Sequence, residues 1–306
     1  MMMKFFNKNQ YWLIGLIAVI LLGLAAFRFL GITHESLPVV SYYEYDQAIP
    51  LKDSVTVAVD SSNFQLLSVT FTSVNDRRVN GLLSLPKNTA GPFPIIILLH
   101  GLGDHKMVDY VEFGTDVFLK NGYAVMRIDI CDHGERKGDF YDFDLTGPYK
   151  YWSRNIIHQT VFDLRRTIDF LESRQEIDAT RIGYYGISLG GIIGSIFCGV
   201  DNRVKVPIIA LAGGQLNLLY ERDAFSIDSK NFVSTIEPIN FISHISPRPL
   251  LMLNAENDEI VPPLMSKLLF NKAEEPKEII WYNAKHRDAP LDKIYGDGLD
   301  WFNKYL

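Results

Sequence analysis

The stretch Gly186-Ile187-Ser188-Leu189-Gly190 constrains this chain more than any other, because it joins a strand-like run, Arg181 to Tyr185, to a helix-like run, Leu189 to Val200. A serine on so abrupt a turn needs very small neighbours, since a larger side chain at Gly186 or Gly190 would collide with the adjoining strand or helix. The turn lifts the Ser188 hydroxyl clear of the backbone. It also sets Ser188 at a helix N-terminus, where unpaired N–H groups and the helix dipole favour negative charge developing on a bound carbonyl oxygen. Such a string arises by chance in on the order of one chain in ten of this length. The reading of an activated serine therefore depends on three further segments, His100-Gly101, Asp258 and His286.

The hydrophobic pattern supplies their setting. Val55 to Val59, Phe64 to Ser73 and Val79 to Leu85 partly alternate apolar and polar residues and predict an antiparallel meander with one solvated face. Pro94 to Leu99, Tyr123 to Ile130, Ile182 to Tyr185, Val206 to Leu211, Leu250 to Leu253 and Ile279 to Tyr282 are instead short continuous apolar runs, mostly separated by helix-length segments. That pattern predicts an α/β fold with a mostly parallel sheet and helices on both faces. Helices are expected near residues 108–120, 152–173, 189–200, 263–271 and 292–305. With 306 residues, 47% of them hydrophobic, the chain can bury one large core, placed at residues 53–306. Within it the irregular segment 213–246, carrying Tyr220, Phe225, Phe232 and Phe241, follows a strand end and reads either as a small cap over the pocket or as a plain connection.

The N-terminal residues are of a different character. Tyr11 to Phe27 is uncharged and rich in Leu and Ile, with Lys4 and Lys8 before it and Arg28 after it. As a helix extended to Leu30 it rises roughly 25 to 30 Å, about one hydrocarbon thickness. Residues 1–10 then form a cytoplasmic tail, 11–30 a transmembrane signal anchor and 31–52 a stalk, with the membrane as partner and the main domain on the exoplasmic side. The alternative is a signal peptide cleaved near Gly23-Leu24-Ala25, leaving a secreted protein. A net charge of −6, with no basic run interleaved with aromatics, argues against nucleic acid as a partner. Cys131 and Cys198 are expected as buried free thiols: Cys198 lies about 15 Å down the helix after Ser188, too far from a strand-end cysteine for the roughly 4.4 to 6.8 Å Cα separation of a disulfide.

Attack by a serine needs a base to take its proton and a carboxylate to orient that base. His244 and His286 are the histidines after Ser188, and His286 follows a predicted strand in the loop Asn283-Ala284-Lys285-His286, where the base is required. Leu250 to Leu253 opens into a loop with three competing carboxylates, Glu256, Asp258 and Glu259. Asp258 is favoured because Ile260-Val261-Pro262 after it returns toward the core; Glu256 is second, and Glu259 is expected to be solvated. The oxyanion donors are expected to be the N–H groups of Leu189 and Leu102, the latter in the loop His100-Gly101-Leu102-Gly103. His100 is assigned a bracing role. Asp104, His105, Asp132 and His133 could imitate a metal cluster, but they lack a ligand spacing and serine chemistry needs no metal or other cofactor.

Together these segments resemble the α/β-hydrolase superfamily, in particular its dienelactone-hydrolase-like and acetyl-xylan-esterase-like branches. The marks are His100-Gly101-Leu102-Gly103, the turn Asp129 to Gly134, Gly186 to Gly191, Ser246-Pro247-Arg248-Pro249, and Asp258-Glu259-Ile260-Val261-Pro262 followed by His286. Dienelactone hydrolases carry cysteine where Ser188 stands, and prolyl-oligopeptidase-type peptidases often carry tyrosine or asparagine where Leu189 stands. The resemblance implies a serine carboxylesterase with Ser188, His286 and Asp258 as catalytic triad, acting on small-molecule esters with short or medium acyl groups. Peptide cleavage or acyl transfer by the same triad is the nearer alternative, and a non-catalytic membrane-tethered binding protein the more distant one.

Overall fold

The strand Phe93–Leu99 shows how the core is laid down. Its Ile95, Ile97 and Leu99 enter the core on one side of the sheet, while Ile96 and Leu98 enter the core on the other. A strand apolar at every position can bury both faces only between two layers of helices, and the computed structural model has that arrangement. It describes residues 12, 15–23, 39–87, 89–138 and 142–306.

The sheet has nine strands: β1 (Ser54–Asp60), β2 (Phe64–Thr72), β3 (Arg78–Pro86), β4 (Phe93–Leu99), β5 (Ala124–Ile128), β6 (Ile177–Ile187), β7 (Val204–Ala210), β8 (Leu250–Ala255) and β9 (Lys277–Tyr282). Their spatial order is β1-β2-β3-β5-β4-β6-β7-β8-β9. The first three strands form the antiparallel meander, and β3 joins β5 antiparallel; from β5 to β9 every neighbouring pair is parallel. Helices α1 (Asp109–Lys120) and α6 (Leu291–Tyr305) cover one face, where the Tyr185 and Tyr295 rings stack at 5.0 Å. Helices α2 (Lys150–Glu172), α3 (Leu189–Val200) and α5 (Pro263–Lys272) cover the other.

Residues 39–52 depart from the expected stalk. Val39–Tyr43 is a short 3-10 helix in which Tyr43 is fully buried, its hydroxyl donating to the Thr235 carbonyl at 2.6 Å. Tyr45 donates to Asp169 on α2, and Arg166 of the same helix donates to the Ile49 carbonyl. These tyrosines serve as hydrophobic anchors with one polar end.

The segment 213–246 contains a 3-10 stretch (Leu216–Asp223), helix α4 (Ile227–Val233) and two further single turns. It is tied down by buried Glu237, whose carboxylate accepts from the Gln215 and Leu216 N–H groups at 2.7 and 2.6 Å. Phe232 and Phe241 pack inward, whereas Phe225 is exposed. Cys131 and Cys198 are buried and free. Burial pushes the Cys131 thiol up to about 12 and the Cys198 thiol upward as well, so neither is a thiolate near neutrality. Of the expected membrane span, residues 12 and 15–23 are described and helical, and the remainder lies outside the described residues. No helix among the described residues is long and apolar enough to cross a membrane.

Candidate active site

Ser188 sits between β6 and α3 with φ 56° and ψ −117°, a backbone conformation costing a non-glycine residue on the order of 1–3 kcal/mol. Three contacts hold it there. The Ser188 N–H donates to the Ala210 carbonyl on β7 at 2.9 Å, the Ser188 carbonyl accepts the first helical bond from Ile192 at 3.0 Å, and the buried Tyr184 hydroxyl donates to the Gly190 carbonyl at 2.7 Å. The need for small neighbours is steric. A Cβ at Gly186 would lie 2.4 Å from the Gly190 carbonyl oxygen, and one at Gly190 would lie 2.6 Å from the carbonyl oxygens of both Leu99 and His100.

His286 enters from the loop after β9. Its Nε2 lies 3.1 Å from Ser188 Oγ, and its Nδ1 lies 2.6 Å from Asp258 Oδ2. With Nδ1–H donating to the carboxylate, Nε2 is left as acceptor for the serine proton. The other Asp258 oxygen accepts from the Ile260 and Val261 N–H groups at 2.9 and 2.7 Å, so the Ile260-Val261 segment fixes the carboxylate. Asp258 and His286 are only 7% and 9% exposed, which protects this polar chain from solvent competition. The two loops are stitched together: Asn257 donates its backbone N–H to the Ala284 carbonyl and its side-chain amide to Asn283, both at 3.0 Å. Glu256 is exposed and only its backbone joins this stitching; Glu259 is also exposed, with one oxygen 3.5 Å from the His286 N–H.

The loop after β4 faces the serine. A Cβ on Gly101 would lie 3.3 Å from the Ser188 Cβ, so the Gly101 backbone runs directly beside Ser188. The Leu102 N–H makes no hydrogen bond to the described residues, and Leu189, first in its helix, has no intrahelical acceptor for its own. The Leu102 side chain is 44% exposed, so what it offers the site is backbone. Fully buried His100 braces this loop: Nδ1–H donates to the Gly101 carbonyl at 2.7 Å, and Nε2 accepts the Ile130 N–H at 3.0 Å. Burial holds its pKa down to about 4, so it is neutral.

Tyr110 and Tyr184 were not singled out from sequence, since a tyrosine at helix or strand spacing is indistinguishable from core. The Tyr110 hydroxyl accepts the Gly101 N–H at 2.8 Å and donates to Asp104 at 2.8 Å. Asp104 is therefore spent on positioning. Asp129 accepts from Lys106 Nζ at 2.6 Å and from the Lys106 N–H at 2.8 Å, which cross-links the loops after β4 and β5. Among the described residues no three His, Cys, Asp or Glu side chains stand together as metal ligands would.

Fold and site define an α/β-hydrolase-like enzyme with a serine at the strand-to-helix turn. Residues 44–211 match the acetyl xylan esterase (AXE1) family, and the chain belongs to it, a family of carboxylic ester hydrolases. It is similar to the putative hydrolase YtaP of Bacillus subtilis, 26% identical over 198 residues, 58% of this chain and 64% of that protein. It is also similar to the acetyl esterase Axe7A of Xylanibacter ruminicola, 25% identical over 235 residues, 66% of this chain and 51% of the other. The chain thus spans between half and two thirds of the length of these curated relatives. In fold it resembles the acetyl xylan esterase of Paenibacillus sp. R4, with TM-score 0.71 and 20% identity over 87% of this chain and 91% of that one. Acetyl xylan esterase 1 of Thermoanaerobacterium sp. superposes with TM-score 0.73 and 16% identity, over 87% of this chain and 92% of that one.

Proposed function

We propose that the protein hydrolyses short-chain acyl esters, acetates foremost, through a Ser188-His286-Asp258 triad and a covalent acyl-enzyme. The observation that carries this is the continuous chain from Ser188 Oγ to His286 Nε2 at 3.1 Å and from His286 Nδ1 to Asp258 at 2.6 Å. Ser188 Oγ attacks the ester carbonyl carbon as its proton passes to His286 Nε2. The carbonyl oxygen becomes an oxyanion, held by the Leu102 and Leu189 N–H groups. Collapse breaks the bond to the alcohol oxygen, which leaves with the proton from His286. Water then repeats the sequence on the acyl-serine, with His286 again taking the proton, and releases the carboxylic acid. Asp258 keeps its negative charge throughout and stabilises the imidazolium.

The acetyl preference rests on the family match and on the acetyl esterases among the relatives. Labelling with a fluorophosphonate tests the serine, and acetate release compared with butyrate and octanoate release tests chain length. An unlabelled Ser188→Ala beside a labelled parent is the expected result; a parent that neither labels nor releases acetate overturns the proposal.

The uncharged stretch Tyr11 to Phe27, with Lys4 and Lys8 ahead of it, supports an N-terminal membrane anchor that leaves the catalytic domain on the exoplasmic side. Retention of the full chain in membranes through alkaline carbonate extraction is expected, and release into the supernatant would argue for the cleaved alternative.

A further inference from the structure

Exposed apolar side chains gather at one edge of the domain. Among the described residues from 39 onward, the large ones stand in segments that leave the carboxyl ends of the parallel strands, or in the first two turns of the helices these lead into; Tyr42, Val57, Val59 and Tyr305 are the exceptions. Leu102 and Met107 follow β4, Phe225 and Ile227 follow β7, and Ile260 and Leu264 follow β8, so they flank Ser188 at the end of β6 on both sides. The segment with Phe225 and Ile227 is held at that edge. Tyr220 donates to the Leu145 carbonyl in the loop after β5, and the Phe232 ring lies 5.3 Å from that of Tyr151 at the start of α2. Single exposed apolar residues are ordinary, but a set confined to one edge marks a surface that something covers.

The path of the chain identifies the cover. Tyr45, Tyr43 and Tyr42 meet Asp169, Phe162 and His158 in turn, so toward the N-terminus the segment climbs α2 from its last turns toward its first. Helix α2 begins at the edge where β5 ends, which is the edge that carries Ser188. The chain therefore leaves Val39 in the direction of that edge. Arg28 to Pro38, between Val39 and the apolar stretch Tyr11 to Phe27, is eleven residues and reaches at most about 40 Å. A domain of this size is about 45 Å across. With the apolar stretch in a bilayer, so short a tether keeps the domain within one of its own diameters of the lipid and turns the Ser188 edge toward it.

The edge suits a zwitterionic lipid surface. Lys230 Nζ lies 5.5 Å from the centre of the Phe225 ring and Lys150 Nζ 5.4 Å from that of Tyr151, which sets cations beside rings as at the headgroup level of a membrane. Arg222 and Lys230 are matched by Asp223 and Asp228, so the attraction comes from apolar burial rather than from anionic headgroups. Apolar side chains from separate loops, on both sides of Ser188, fit a plane better than they fit a single inserted peptide.

We propose that the Ser188 edge of the domain lies against the bilayer, with Phe225 and Ile227 entering its interface. This placement rests on the N-terminal anchor given above and not on the triad. It is tested on the full chain in phosphatidylcholine vesicles, carrying one dye-labelled cysteine at Ile227→Cys, at Leu264→Cys or, as reference, at Val57→Cys on β1. Cys131 and Cys198, buried and un-ionised, do not take the dye. Emission at 227 and 264 is expected to shift to the blue and to be quenched several-fold more strongly than at 57 by lipid carrying a spin label near its headgroup. Phe225→Asp should lower the quenching at 264 toward the reference, and each variant should melt with its parent. A chain that sediments with the vesicles while all three dyes stay in water overturns the lipid contact and leaves the anchor standing. A chain that remains in the supernatant overturns both. A blue shift that spin-labelled lipid does not quench shows the edge buried against a second copy of the chain, and also overturns the lipid contact. No reading here involves turnover, so none depends on the ester-hydrolase assignment.

Discussion

The Tyr110 hydroxyl accepts the Gly101 N–H at 2.8 Å, so the backbone beside Ser188 is held by a side chain nine residues further on, itself oriented by Asp104. That bond takes the Gly101 N–H out of play and leaves the next one, of Leu102, to point elsewhere. Tyr110→Phe removes the acceptor while keeping the ring. We expect kcat for acetate esters to fall roughly tenfold with KM little changed, and stability to fall by about 1–2 kcal/mol. Steady-state kinetics and a urea melt read both; an unchanged kcat would show that the Gly101 bond does not position the oxyanion donors.

The three carboxylates after β8 can be separated by amide substitution. Asp258→Asn is expected to lower kcat by about 10⁴, because the amide cannot stabilise the imidazolium or enforce the tautomer. Glu256→Gln, at an exposed position that joins the loop stitching only through its backbone, is expected to stay within about twofold of the parent. A reversal of the two results would reassign the acid.

At the serine turn, Gly190→Ala would drive a methyl group against two backbone carbonyls at 2.6 Å, neither of which can rotate away. A loss of about 3 kcal/mol or more, or failure to fold, is expected. Gly296→Ala, where a Cβ meets nothing within 4 Å in the middle of α6, serves as the contrast and should be neutral or slightly stabilising. Denaturant melts of the two variants read the difference directly.

Acid should destabilise the fold over a defined window. Burial lowers the folded-state pKa of His100 to about 4 and of His158 to about 3, against 6.5 for the free side chain. Between those limits the unfolded chain binds more protons than the folded one, so stability is complete above pH 6.5 and declines as pH falls toward 4 and then 3. The melting temperature is expected to drop across that range, and His158→Gln, which removes one titrating group, should flatten the curve. A melting temperature constant from pH 7 to pH 4 would contradict the burial argument.

The serine turn was legible in sequence because its geometry admits so few residue types, and the loops that carry Asp258 and His286 followed from the order of strands, with Asp258 singled out from its two neighbouring carboxylates by the apolar Ile260-Val261-Pro262 after it. The parallel sheet was legible from the continuous apolar runs, although β6 begins at Ile177, five residues before its apolar run shows. What was hidden depends on partners remote in sequence. Residues 39–52 have no periodicity of their own, and they are ordered by Thr235, Asp169 and Arg166. Tyr110 and Tyr184 are marked only by where their hydroxyls point, which composition and spacing do not encode.

The loops that carry His286 and Asp258 leave β9 and β8, and β9 is an edge strand of the described sheet, paired on one side alone. Outer strands open at lower free energy than the middle of a sheet. Warming should therefore draw His286 out of line with Ser188 while the central strands remain paired. The enzyme would lose its activity some degrees below the temperature at which it melts, and recover it on cooling.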